Sequence, residues 1–171
     1  MRKSKAAVGT SLFFALAPGV VAGLVPWLLT DWEVRRDALS SLRLLGLFLI
    51  AAGAGALIGA FVRFVVEGLG TPAPVAPTEN LVVGGLYRYV RNPMYLAVVA
   101  TILGQAMLLG QPVLVVWAAL VTAAVASFVL LYEEPTLSRR YGAEYDEYRE
   151  AVPRWLPRPR PWTKKEDPAR S

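Results

Sequence analysis

The chain has 171 residues, of which 55% are apolar and only 18% charged, against roughly 45–50% and about 25% in ordinary soluble domains. The charges also avoid whole stretches: Arg43 and Arg63 are the only two between positions 42 and 66, and none falls between positions 92 and 132. This excludes intrinsic disorder and points to a membrane protein. Without cysteine the chain has no disulfide, thiolate metal site or cysteine nucleophile, and without histidine it lacks the usual neutral-pH proton shuttle and the commonest metal ligand. Chemistry therefore falls to carboxylates, tyrosines, arginines, backbone groups or a cofactor, and no metal partner is expected. The net charge of +5 is assigned to membrane topology and anionic headgroups rather than to nucleic acid.

Four apolar stretches are long enough to approach the roughly 20 helical residues that cross a bilayer. They give an all-α, multi-pass bundle with short cytoplasmic helices after the last span. The first, 11–29, contains Pro18 and Pro26, tolerable where neighbouring helices satisfy the freed carbonyls. A basic start before it also resembles a signal peptide, but the apolar run is long for one, so a retained span is expected. The second span is placed at 44–62. Its Gly55 and Gly59, with Ala51 one turn earlier, form a small-residue step suited to close helix packing, within the bundle or in a homo-oligomer, or to a substrate groove.

Positions 70–77 hold three prolines and a glycine and cannot continue a helix. They divide an N-terminal membrane unit, 1–69, from a core expected over 70–157. In that core, Asn92 and Pro93 read as the N-cap and first residue of a third span, 93–109. Arg88 and Arg91 stand just before this helix start. They serve either to anchor the loop to headgroups or to bind a carboxylate or phosphate beside the helix dipole. Gly110, Gln111 and Pro112 make a tight turn into a fourth span, 113–132.

Glu133 and Glu134 follow at what reads as a helix C-terminus, where the dipole disfavours acids. They are read as a solvated helix end, with Glu134 as a cap for the next helix begun by Pro135, or functionally, with Glu133 either accepting hydrogen bonds from ligand hydroxyls or an amine or pairing with Arg88 or Arg91. Two short helices, 136–141 and 143–151, are separated by Gly142. Along them Leu137, Tyr141, Tyr145, Tyr148 and Val152 fall on one face, a pattern more usual for packing than for a site. The Pro- and charge-rich stretch 158–171 is expected to be a disordered tail. Fourteen of the 18 basic residues lie in the N-terminus, in the loop before the third span or after position 133, which puts both termini on the cytoplasmic side.

The blocks Gly85-Leu86-Tyr87, Arg91-Asn92-Pro93-Met94-Tyr95, Glu133-Glu134-Pro135-Thr136-Leu137, Gly142-Ala143-Glu144-Tyr145-Asp146-Glu147-Tyr148 and Val152-Pro153, in this order around a hairpin, resemble the isoprenylcysteine carboxyl methyltransferase and phospholipid methyltransferase family. The resemblance runs from about Asn80 to Pro157. It implies S-adenosylmethionine bound at the cytoplasmic face, with Leu81, Val82, Gly85, Tyr87, Arg88, Asn92, Pro93, Tyr95 and Glu133 holding the cofactor. It also implies Glu134 and Arg91 as catalytic residues and a membrane lipid or lipid-like acceptor. Three positions depart from the family pattern. Asn92 replaces a histidine, Ala97 replaces a glycine, which limits close backbone approach, and Val129 replaces an arginine that would hold a prenylcysteine carboxylate. A sterol-reductase-like enzyme using NADPH and a non-catalytic assembly protein are the alternative readings.

Overall fold

The computed structural model describes residues 16–35, 40–68 and 80–163, with side chains described outside 40 and 64–68. The expected start of the first span, the linker at 70–77 and the end of the tail lie outside these residues. Among them every regular element is a helix. Helix α1 covers Leu16–Thr30, α2 Ser40–Gly68, α3 Pro93–Leu109 and α4 Val113–Phe128. After a wide turn, α5 spans Glu134–Tyr141 and α6 Ala143–Ala151. Helix α3 lies at the centre, packed on α2, α4 and α1.

Two stretches, Ser41–Arg63 and Val113–Tyr141, are long and apolar enough to cross a membrane, whereas Leu16–Thr30 and Pro93–Leu109 are shorter. Large apolar side chains on the long helices point outward, Phe48 at 67% and Leu131 at 81% exposure. That is the inverse of a soluble core helix and suits a hydrocarbon surround. Inside, Val98, Ile102, Ala106 and Leu109 of α3 pack against Leu114, Ala118 and Val121 of α4. Gly110 ends α3 in a left-handed conformation (φ 69°) that glycine adopts without a Cβ penalty. At this end the Arg35 amide donates to the Leu109 carbonyl, tying the exit of α1 to the α3–α4 turn.

The close approach of α2 to α3 does not use the expected glycines. A Cβ on Gly55 or Gly59 would meet nothing within 4 Å, whereas one on Gly46 would lie 2.6 Å from the Gly104 carbonyl and one on Gly53 2.5 Å from Thr101 Oγ1. The seam is Gly46, Gly53 and the fully buried Ala60, seven residues apart and so on one helix face, while Gly55, two residues from Gly53, turns away from it. Ala97 is no obstacle, since its carbonyl would lie 2.8 Å from a Cβ on Gly53: the missing atom is on the facing helix.

Pro26 shows how a proline is accommodated. Its missing N–H frees the Ala22 carbonyl, and upstream the chain widens into a π turn, Val20–Leu24, in which the Val25 amide reaches back to Val20 and so frees Val21 as well. Gln105 Nε2 donates to the Ala22 oxygen at 2.6 Å and Trp117 Nε1 to the Val21 oxygen at 2.9 Å. Both released acceptors are thus satisfied by neighbouring helices.

Candidate functional site

The same device recurs at the other end of the bundle. Pro135 follows a π turn at Val129–Glu133 in which the Glu134 amide donates to the Val129 carbonyl. The chain therefore passes from α4 through the turn into α5 without a helix end, contrary to the expected terminus at position 132. Glu133 and Glu134 occupy a wide turn inside a continuous helical path, where an extra residue per turn re-aims side chains, and neither faces an exposed C-terminal dipole.

The two acids have different partners. Glu133 Oε2 accepts a 2.9 Å hydrogen bond from the Tyr95 hydroxyl on the first turn of α3, and among the described residues no cation pairs with it. Glu134 is buried, at 8% exposure, and takes all the positive charge. Arg91 Nη1 lies 2.8 Å from its Oε1, and Arg154 grips both oxygens, Nε on Oε1 and Nη2 on Oε2, each at 2.7 Å. A buried carboxylate requires such compensation. Glu133 therefore does not pair with Arg88 or Arg91. Arg88 turns away, its Nε donating to the Trp162 carbonyl at 2.8 Å.

Asn92 stands at the α3 N-cap, but its side chain caps nothing. Its Nδ2 donates to the Arg154 carbonyl at 3.1 Å. The loop before it closes with Gly85 at φ 56°, starting the 3-10 turn Gly85–Arg88. A Cβ on Gly85 would fall 2.9 Å from Arg63 Cγ, so both backbone and space require glycine there. Tyr87 is buried against Ala60, Val82 and Met94. The Tyr148 hydroxyl donates to the Tyr87 carbonyl at 2.7 Å and Arg91 Nη1 to the Tyr145 hydroxyl at 3.2 Å.

Leu81, Val82, Tyr87, Arg91, Asn92, Glu133 and Glu134 line one cleft between the loop, the start of α3 and the π turn. Tyr95 reaches it through Glu133, while Gly85, Arg88 and Pro93 do not line it. Four lining residues were not singled out as site residues: Val129, Leu137, Tyr145 and Tyr148. The stripe along α5 and α6 thus does two things, packing Tyr145, Tyr148 and Val152 into a core with Leu81, Leu137 and Trp162 while presenting tyrosines to the cleft. Residues 158–163, expected as the beginning of a disordered tail, are held by the Arg158 amide on the Tyr89 carbonyl and the Trp162 amide on the Arg88 carbonyl.

Burial is the main force raising the pKa of the Tyr87, Tyr145 and Tyr148 phenols; the Glu133 charge adds to it at Tyr87, and Arg91 opposes it at Tyr148. All three are neutral donors at physiological pH. The Arg91 Nε–H is buried and has no partner among the described residues, although Arg91 lines the cleft. An orphaned donor beside an acid that lacks a cation is a wall with hydrogen bonds still to make.

Fold and site together define a helical protein of membrane type with an acid-bearing, aromatic-walled cleft at the bundle end opposite Gly110. A phospholipid methyltransferase family model matches residues 41–144, well over half of the chain, and the chain belongs to that family. It is accordingly a membrane methyltransferase by family. No curated protein matches the chain. The match begins at α2, earlier than the resemblance at Asn80, and stops before Tyr145, Tyr148 and Arg154.

Proposed function

We propose that the chain is a multi-pass enzyme transferring a methyl group from S-adenosylmethionine to a lipid-like or small apolar acceptor, a phospholipid amine in preference to a prenylcysteine-like carboxylate. Helices α1 to α4 serve as four spans with both termini cytoplasmic, and the catalytic core reaches from α2 to the strap at 153–162.

The observation that carries this reading is the division of labour between adjacent acids. Arginines pair with Glu134, while Glu133, held by the Tyr95 hydroxyl and by no cation among the described residues, faces the cleft. The residues fit the cofactor: Glu133 suits its amine or hydroxyls, the unpartnered Arg91 Nε–H suits a carboxylate or ribose oxygen, and the faces of Tyr87 and Tyr148 suit a sulfonium. Leu81 and Val82 offer an apolar edge. When bound, the cofactor supplies a methyl carbon already activated by its sulfonium.

What remains for the chain is to bind, orient and exclude water, effects that supply much of a barrier reduction. Glu134, with both oxygens engaged by arginines, holds the wall, and Arg91 holds Glu134. Val129, at 1% exposure, lines the cleft one turn before Glu133 and presents no charge for an acceptor carboxylate, which favours an amine. The test is transfer of labelled methyl groups into a total lipid extract by the purified protein. A labelled lipid amine supports the reading, and absence of label in any lipid contradicts it.

A further inference from the structure

Beyond the matched stretch, residues 153–162 run as an irregular strap along the loop before α3. The Arg91 amide donates to the Pro153 carbonyl at 3.0 Å, the Arg158 amide to the Tyr89 carbonyl at 2.9 Å and the Trp162 amide to the Arg88 carbonyl at 2.9 Å. One residue of the strap also reaches across to the other wall. The carbonyl of Arg154 is held by Asn92 Nδ2 at 3.1 Å, and its guanidinium forks onto both oxygens of Glu134 at 2.7 Å. Backbone and side chain of this one residue therefore connect the start of α3 to the π turn that carries Glu133. Arg154 itself does not line the cleft.

We infer that Arg154 is a positioning residue that sets the separation of the two cleft walls and so holds Glu133 where it meets the ligand. A planar fork fixes both the distance and the rotation of a carboxylate, which a single ammonium contact does not. Arg91 meets only Oε1, so without Arg154 the carboxylate can turn about that one contact, and the adjacent Glu133 turns with the backbone. The hydrogen bond to Glu134 is the foremost cause of the upward shift of the Arg154 pKa. The inference rests on the methyl-donor reading of the cleft.

The experiment is calorimetric binding of S-adenosylhomocysteine to the full chain in detergent micelles, for wild type, R154A, R154K, E134Q and the E134Q/R154A double variant, with thermal midpoints recorded alongside. R154A is expected to weaken binding about tenfold, and R154K to recover only part of that loss. Because the Arg154 side chain is 33% exposed, low concentrations of guanidinium, and not equal sodium chloride, should restore binding to R154A. In the E134Q background the R154A change should have little further effect, since the two act as one unit. Should R154A fail to fold, R154K carries the test, and wild-type affinity in R154K overturns the inference. Unaltered affinity in folded R154A also overturns it, as does a loss that guanidinium does not restore and that adds fully to E134Q. Wild-type protein that binds nothing overturns the methyl-donor reading as well, which separates the two failures.

Discussion

The Tyr95 hydroxyl donates to Glu133 Oε2 at 2.9 Å, joining the first turn of α3 to the π turn after α4. Glu133 is thereby fixed by one neutral donor. A carboxyl group held this way keeps hydrogen-bonding capacity for a ligand.

Removing that donor tests the arrangement with little disturbance. Tyr95→Phe keeps the ring and deletes one hydrogen bond, worth about 0.5–1.5 kcal/mol net. The variant is expected to fold with a modestly lowered thermal midpoint and to bind S-adenosylhomocysteine up to about tenfold more weakly, as measured by calorimetry. Unchanged affinity would mean that the Tyr95 contact does not orient Glu133.

Glu134 has a different sensitivity. Glu134→Leu removes the acceptor of Arg91 and Arg154 together and leaves Arg91, 10% exposed, without its counter-charge. Breaking a buried pair from one side costs about 3–5 kcal/mol, here reduced by the partial exposure of Arg154. A clear drop in thermal midpoint is expected. Glu133→Leu should destabilise less, because no cation depends on it, and equal losses for the two would contradict the division between them.

The α2–α3 seam gives a paired comparison. Gly46→Leu places atoms where the Gly104 carbonyl and the Leu108 amide already lie, within 2.7 Å of a Cβ, and overpacking of this kind costs about 1–3 kcal/mol or more. Gly55→Leu points into open space and should leave the midpoint near wild type. Unfolding followed by tryptophan fluorescence measures both.

Alkaline pH should weaken the C-terminal region first. The buried phenols of Tyr87, Tyr145 and Tyr148 have raised pKa values, so above the ordinary tyrosine value near 10 the unfolded chain loses protons that the folded chain keeps. Their contribution is complete below that pH and is lost as pH rises from it toward the folded values. The thermal midpoint should fall above about pH 10 together with the growth of phenolate absorbance. A midpoint that stays flat through that range would count against buried, neutral tyrosines in the cleft wall.

Much of this was legible in the sequence because it follows from local rules. Charge-free runs located α3 and α4, and Pro93 and Gly110 marked the two ends of α3, because a proline at the first helical position and a left-handed glycine after the last are local signals. The ordered blocks brought Leu81, Val82, Tyr87, Arg91, Asn92 and Glu133 to one cleft. What was hidden depends on contacts between distant segments. Gly46 and Gly53 pack while Gly55 and Gly59 do not, and only the facing helix decides which side of α2 is the seam. The π turn at Val129–Glu133 has no local signature beyond Pro135. Arg154 lies 20 residues from Glu134 in the Pro-rich stretch that closes the expected core, and the acid expected to meet Arg91 was Glu133, whereas the fold gives Arg91 to Glu134.

The central claim is that Glu133 is the acidic contact of a cleft built for a sulfonium nucleotide. The most direct measurement is calorimetric titration of S-adenosylhomocysteine into purified full-length protein and into Glu133→Ala under identical conditions. The account predicts saturable one-to-one binding to the wild type, weakened at least about tenfold in the variant. No binding by correctly folded wild type, or equal binding by both proteins, would contradict it.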